Sequence, residues 1–373
     1  MPSAHLLRAL ARDPRGAHRA RPRAHRCLRR GTSRREPRRP RVADIPRPRR
    51  KARAPGDAAR RGHRDRHARA PALSATFAPV PIAIFDMDGV LYRGANVLPY
   101  ARESLDRLRR AGWGVYFATN NSTATRDDYL RRLADLGLGG ERDQIVTSAY
   151  ATAHYLERRE PRPNDVFVVG ADGLREEIRA VGIHVRAASE LPGNAPPPDA
   201  AADGRDPAAM RRYLVSLELP PPPDTVVIGL DLHLTYAKIA EAQRAVLAGA
   251  HLVCSNRDRA YPVEGRLLPG AGTIVAAIEV ATGARAVCIG KPEPFLFAEV
   301  IRRAGKNGDR VVVVGDSTEY DMVAAHRVGA TGVLITTGLT EAGSVNRASG
   351  DAVPDHVVQS LEDLFSLPEF AGA

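Results

Sequence analysis

Cysteine is scarce in this chain. Cys27, Cys254 and Cys288 are the only three in 373 residues, and no two of them stand in a Cys-x-x-Cys spacing. That excludes a disulfide framework and a cysteine-built zinc site, and it fits a reducing compartment. No apolar run approaches the ~18 residues of a membrane-spanning helix, so no membrane partner is expected and the cytoplasm is the expected location. Short internal repeats are absent. Acid is nearly missing from one region only. Residues 1–80 carry 24 Lys and Arg against 5 Asp and Glu, a net of +19, whereas the whole chain carries +12. Residues 81–373 therefore carry −7. The basic balance belongs to the N-terminal stretch and does not make the rest a nucleic-acid binder.

That stretch also lacks large apolar side chains. It cannot bury enough surface to offset its ordering entropy, so residues 1–80 are expected to be a disordered Arg-rich extension, or upstream sequence translated from a misassigned start. A tether to nucleic acid or another polyanion would be non-specific and driven by charge. A transit peptide would be similarly Arg-rich, but the apolar helical face is missing and proline is frequent.

What is present begins at Pro81. Ile82-Ala83-Ile84-Phe85-Asp86-Met87-Asp88-Gly89 is an apolar run ending in two acids and a glycine. The run reads as a buried strand. Side chains two apart share a face of a strand, so Asp86 and Asp88 can reach one site, where one attacks or binds metal and the other moves protons. Taken alone, Asp-x-Asp-Gly equally fits a turn.

Three later blocks follow the same grammar. The strand 114–118 ends in Thr119-Asn120-Asn121-Ser122, and Thr125-x-x-Asp128 then has the form of a capping box. The strand 286–289 ends in Gly290-Lys291-Pro292, and the Val-rich strand 310–314 ends in Gly315-Asp316, with Asp321 five residues on. If adjacent parallel strands carry these blocks, their carboxyl ends bring carboxylates, a hydroxyl, amide donors and one ammonium to a single crevice. Asp86 and Asp316 offer hard oxygen ligands suited to Mg²⁺, and no His/Cys cluster favours zinc. Thr119 and the backbone N–H groups after it can cradle phosphate oxygens beside a helix N-terminus. Lys291 supplies positive charge for a phosphoryl group in transfer.

Alternating strand and helix signals run throughout. Helices are expected at 100–111, 148–158, 174–180, 236–247, 273–281 and 294–304, with strands at 166–169, 225–228, 251–254 and 332–335. The fold class is α/β, a doubly wound, Rossmann-like parallel sheet. Residues 192–224 form a Pro-rich insertion expected to hold little fixed structure, apart from one short helix at 208–217.

The four blocks, together with Val146-Thr147-Ser148-Ala149, Val227-Ile228-Gly229-Leu230-Asp231 and Leu268-Pro269-Gly270-Ala271-Gly272, resemble the haloacid dehalogenase-like hydrolases, and within them the NagD-like phosphatase branch. The resemblance runs from about Pro81 to Leu367. It implies a core formed by residues 81–158 and 267–367, an inserted α/β cap at 159–266 and a tail at 368–373. It implies Mg²⁺-dependent hydrolysis of small phosphate monoesters such as phosphoglycolate, glycerol phosphate, pyridoxal phosphate or a nucleotide-like ester. Asp86 would be the nucleophile forming an aspartyl-phosphate, and Asp88 the general acid and base. Asp86, the backbone carbonyl of Asp88 and Asp316 would hold Mg²⁺, with Asp321 supporting the metal shell. Thr119, Asn120, Asn121 and Lys291 would hold the phosphoryl oxygens. Tyr261 is a substrate contact by family position, and packing at the cap–core seam explains it as well. Glu319 and Tyr320 depart from the Asp-Thr often found there in the branch, which bears on the outer metal shell. The expected partner is a small phosphorylated metabolite, and a homo-oligomer stays open. A non-catalytic or moonlighting protein with an Arg-rich nucleic-acid-binding arm is the competing class, and a phosphomutase fits the large cap poorly.

Overall fold

The computed structural model describes residues 80–186, 205–216, 221–263, 266–305, 310–336, 345 and 347–373. The expected disorder of residues 1–80 and most of the insertion at 192–224 lie outside the described residues. From the start the chain runs β1 (Ile82–Asp86), a short hairpin of β2 (Tyr92–Arg93) and β3 (Asn96–Val97), α1 (Ala101–Arg110), β4 (Gly114–Thr119), α2 (Arg126–Asp135), β5 (Ile145–Thr147) and α3 (Ser148–Glu157). It continues through β6 (Asp165–Val169), α4 (Asp172–Ala180), β7 (His184–Arg186), α5 (Pro207–Ser216), β8 (Thr225–Ile228), α6 (Tyr236–Leu247) and β9 (His251–Cys254). A hairpin of β10 (Ala260–Val263) and β11 (Arg266–Pro269) leads to α7 (Ala271–Thr282) and β12 (Val287–Cys288). Then come α8 (Phe295–Arg303), β13 (Val311–Gly315), α9 (Val323–Arg327), β14 (Thr331–Ile335) and β15 (His356–Val358).

Two parallel sheets organise these elements. The core sheet has the order β15-β14-β13-β1-β4-β5, and the second sheet β12-β9-β8-β6-β7. In the core sheet the chain winds one way from β1 to β4 and β5, then returns to β13 on the other side. This puts β1 at the switch point, where open α/β sheets hold ligands. Register sets Phe85 beside Phe117 on one side and Val314 on the other. The residues just beyond, Asp86, Thr119 and Asp316, therefore emerge together.

Alternation along β1 explains the layers. Ala83 and Phe85 pack with Leu105 and Leu108 of α1, Leu133 of α2 and Phe370. Ile82 and Ile84 face the other way, into a cluster that takes in α3, Leu174 of α4, Leu296 of α8, and Val166, Val227 and Val253 of the second sheet. Helix α3 thus lies between the two sheets, which is why Ser148–Ala153 are buried at every position. The outer face of the second sheet is covered by α6 and α7 through Ala242, Ala245, Ile274 and Ile278.

Local signals were legible. Thr125 and Asp128 form the reciprocal capping box of α2, and α5 covers nearly the span expected for a short helix. Three differences matter. Strand β12 is only Val287–Cys288 and pairs with β9. Residues 287–288 and α7 therefore attach to the second sheet, although the sequence reading placed residues 267–367 in the core. The physical reason is that β12 hydrogen-bonds β9 in register, Val287 to Val253 and Cys288 to Cys254. Residues 368–373, read as a tail, are also packed. Phe370 is buried and stacks on Trp113 with ring centroids 4.8 Å apart, and Arg107 donates twice to the Ala373 carbonyl at 2.9 and 3.0 Å.

Candidate active site

Asp86 ends the central strand and is buried. Its Oδ1 accepts from Lys291 Nζ at 2.8 Å, and the same ammonium donates to Asp321 Oδ1 at 2.7 Å. Asp86, Asp316 and Asp321 each place a carboxylate oxygen within 4.8 Å of the others. Three acids thus crowd one ammonium. Burial pushes the Asp86 carboxyl up to about 8; Lys291 opposes this, and Asp321 and Asp316 add to it. Burial alone would lower Lys291, but Asp321 and Asp86 outweigh it and hold the ammonium above its ordinary range.

Asp321 reaches the site from a single π-helical turn, Thr318–Met322, after β13. Its Oδ2 accepts from Ser317 N at 3.1 Å. A Cβ on Gly315 would lie 2.3 Å from Asp321 Cβ and Cγ. Glycine at 315 therefore lets the last acid fold back over the strand end. In this turn Glu319 is exposed and Tyr320 half-buried. Asp88, two residues on from Asp86, is exposed. Surrounding protein raises its carboxyl, and Arg132 partly opposes that.

The expectation that all four blocks come from adjacent strands of one sheet needs correction. Asp86, Thr119 and Asp316 do leave the core sheet, but Lys291 follows β12, at the edge of the second sheet. The carboxyl ends of both sheets converge. Ser255, just past β9, donates through Oγ to Ser122 Oγ at 3.0 Å, and Gly173 N at the start of α4 donates to Thr123 O at 3.2 Å.

Side chains of the Thr119–Ser122 loop also bond within the protein. Thr119 is buried at the end of β4, and its Oγ1 accepts from Asn121 N at 3.1 Å. The Asn120 side chain is committed to the Lys291 segment. Its Oδ1 accepts from Lys291 N at 2.8 Å, while Nδ2 donates to Lys291 O at 3.1 Å and to Asp258 Oδ1 at 2.9 Å. The Asn121 carboxamide oxygen accepts from Thr123 N and Oγ1 at 2.8 and 2.7 Å, closing a local turn. These two side chains shape the loop and brace its neighbour. Tyr261 is half-buried on the β10–β11 hairpin, opposite Leu268 in register.

Sequence reasoning missed the braces. Asn256 Nδ2 donates to Asn120 O at 2.8 Å, and Ser148 Oγ donates to the same carbonyl. Asp258 accepts from Asn120. Burial raises its carboxyl, against the Asn120 hydrogen bond and Lys291. The available signal was the one used elsewhere, an apolar strand followed at once by polar residues, here Cys254-Ser255-Asn256-Arg257-Asp258.

The donor set suits a hard divalent cation: all oxygen, close together and net negative after Lys291 is counted. Asp321 accepts from Lys291 Nζ through Oδ1 and from Ser317 N through Oδ2.

Comparison with known proteins agrees with this arrangement. The family described as haloacid dehalogenase-like hydrolase matches residues 83–184, and a second profile, of HAD-hydrolase-like proteins, matches 288–364. Human chronophin is 36% identical over 292 residues, covering 75% of this chain and 90% of that protein. Human glycerol-3-phosphate phosphatase is 37% identical over 317 residues, covering 80% and 93%. Among solved structures, the glycerol phosphate phosphatase of Mycobacterium tuberculosis in complex with magnesium superposes with a TM-score of 0.64 at 29% identity, over 76% of this chain and 77% of that one. With its acids on the switch-point strand and its lysine reaching them from the second sheet, the chain belongs to the haloacid dehalogenase-like hydrolases, in their NagD-like phosphatase branch.

Proposed function

We propose that this chain hydrolyses small-molecule phosphate monoesters with Mg²⁺, through a phosphoryl-aspartate on Asp86. The observation that carries the reading is the buried cluster of Asp86, Asp316 and Asp321 around the Lys291 ammonium. An Asp86 oxygen attacks phosphorus as the ester bond breaks. Asp88, whose carboxyl is raised, protonates the departing oxygen. It then takes a proton from water as that water attacks the phosphoryl-aspartate, releasing inorganic phosphate and restoring Asp86. Lys291 and the backbone N–H groups at the end of β4 neutralise and orient the phosphoryl oxygens. Asp86, the Asp88 carbonyl and Asp316 would hold Mg²⁺, and the cation would supply positive charge that keeps the acids ionised and screens the phosphoryl group. Selection among leaving groups falls to the segment carrying Tyr261 and Asp231–His233.

The test is turnover of purified protein against glycerol phosphate, phosphoglycolate, pyridoxal phosphate, nucleoside monophosphates and p-nitrophenyl phosphate. Hydrolysis is expected with Mg²⁺, lost with chelator and restored on adding the ion. Full turnover by exhaustively chelated enzyme, or none with any ester, would overturn the reading.

A further inference from the structure

Asp258 lies outside the four blocks. It follows β9, in the second sheet, and half-buried it faces the loop after β4, in the core. Its Oδ1 accepts from Asn120 Nδ2 at 2.9 Å. A carboxylate only accepts hydrogen bonds, so it fixes which end of the Asn120 carboxamide turns towards it. The other end is then presented to Lys291 N, which donates to Asn120 Oδ1 at 2.8 Å. The flipped carboxamide would set its NH₂ against the Lys291 N–H, donor to donor. Asn120 Nδ2 also reaches Lys291 O at 3.1 Å, so one carboxamide holds both backbone polar groups of the lysine.

The contact is tight. A Cβ on Gly290 would lie 2.6 Å from Asn120 Oδ1 and from Ser255 O, so the lysine segment sits directly against the carboxamide. Asp258 is itself held, because its N–H donates to Asn256 Oδ1 at 3.2 Å and its carbonyl accepts from Gly272 N at 2.9 Å. Lys291 is near enough to pull the Asp258 carboxyl down against the upward push of burial.

We propose that Asp258 is a positioning residue, which through Asn120 sets where the Lys291 ammonium meets the phosphoryl group. The inference rests on the role given to Lys291 above. It makes the segment after β9 part of the phosphoryl-holding apparatus as well as a wall of the crevice. Its effect falls on the phosphoryl group, which every ester shares, and not on the leaving group.

The experiment compares wild type, Asp258→Ala, Asp258→Asn and Lys291→Ala, each with Mg²⁺. It measures kcat and KM for glycerol phosphate and for p-nitrophenyl phosphate, and the affinity for inorganic phosphate by calorimetry. Misplacing a reacting group by about an ångström costs on the order of 10²-fold, and Asn120 retains its two bonds to Lys291. Asp258→Ala should therefore lose roughly 10-fold in kcat by the same factor for both esters, and should weaken phosphate binding in the direction Lys291→Ala does. Asp258→Asn, whose amide oxygen can still accept from Asn120, should recover most of the loss. Three results would overturn the inference: a loss confined to one ester, which would make Asp258 a leaving-group contact; no recovery in Asp258→Asn, which would make its charge the cause; or a lower Tm with kcat and phosphate affinity unchanged. A wild type that binds phosphate but hydrolyses neither ester would sink the hydrolytic reading. The Asp258 inference would then still stand or fall on phosphate affinity.

Discussion

The two sheets share a plan and differ in the charge they deliver. Both are parallel, both change winding direction partway, and both send strand ends into the same crevice. The core sheet brings acid: Asp86 from β1 and Asp316 after β13, with Asp88 and Asp321 close behind. The second sheet brings the ammonium of Lys291 after β12, and the braces Asn256 and Asp258 after β9. Each set is poorly tolerated without the other. Three buried acids without a cation repel one another, and a buried ammonium without acids is costly to desolvate. The site therefore belongs to the seam between the sheets, and the seam can be tested separately from each sheet.

The largest effect should come from removing one member of each set. Asp86→Asn, on the core side, should reduce kcat on the order of 10⁴-fold or more, because an amide cannot form the phosphoryl-aspartate. Lys291→Ala, on the other side, should cost about 10²–10³-fold, the range for one charge-stabilising donor. The two should differ in stability as well. Loss of Lys291 leaves the acids uncompensated, so this variant should melt lower in chelator and recover with Mg²⁺. Measuring kcat and Tm with and without the ion checks both. Equal losses of activity, or a Lys291→Ala melt indifferent to Mg²⁺, would break the comparison.

Next comes close approach. Gly290→Ala would press a methyl group on the seam, and Gly315→Ala would press one on Asp321 within the core side. Each should lower kcat by about 10²-fold through displacement of a charged group. Crystal structures of the variants should show Lys291 moved in the first and Asp321 in the second. Near-normal turnover in either would mean that the site tolerates movement.

Much of this was legible in the sequence, for reasons the residues show. The run Ile82–Phe85 can only be buried, and the acids at its end had to emerge at the carboxyl end of the sheet. The capping box at Thr125 and Asp128 needs no tertiary information. Strand β12 was misassigned to the core because two residues carry no sign of the sheet they join; only pairing with β9 decides it. Asn120 and Asn121 were expected to hold phosphoryl oxygens, and what their side chains would bond within the protein was not legible. A carboxamide satisfies a neighbouring backbone equally well, and here it does. Asp258 was passed over in favour of Tyr261, because its partner Asn120 lies 138 residues away in sequence. Phe370 gave no periodic signal, since it sits in a short 3₁₀ turn.

That residue supplies a smaller test, of the core side alone. Phe370→Ala should cost about 3 kcal/mol or somewhat more, as for other buried Phe truncations, with kcat per folded molecule unchanged. Denaturant unfolding and an activity assay of the folded fraction check this. A variant of wild-type stability would show that the C-terminal residues are not part of the core.

The smallest expected effect lies far from the seam, where His326 pairs with Asp355 at 2.9 Å and with the Asp351 carbonyl. Burial alone would lower His326, but these partners raise it. Its contribution is therefore full below the unfolded value of about 6.5 and is lost as pH rises through the raised folded value. Burial alone would raise Asp355, but Gly332 N–H and His326 hold it low. Its contribution is present above about 3.9 and is lost as pH falls through the depressed folded value. The stability gap between wild type and His326→Gln should accordingly be widest between about pH 4 and 6.5 and close on the alkaline side. A gap that grows with pH would contradict the assignment.

The central claim is that acids from one sheet and an ammonium from the other assemble a site for phosphoryl transfer to Asp86. Its most direct test is chemical trapping. Asp88→Asn should still be phosphorylated by p-nitrophenyl phosphate, whose leaving group needs little protonation, and should stall before hydrolysis because no base activates water. Acid quenching followed by borohydride reduction and peptide mass spectrometry should then find the reduced, trapped carboxyl at residue 86. Reduction found at another carboxyl, or none found in an enzyme that is turning over, would contradict the account.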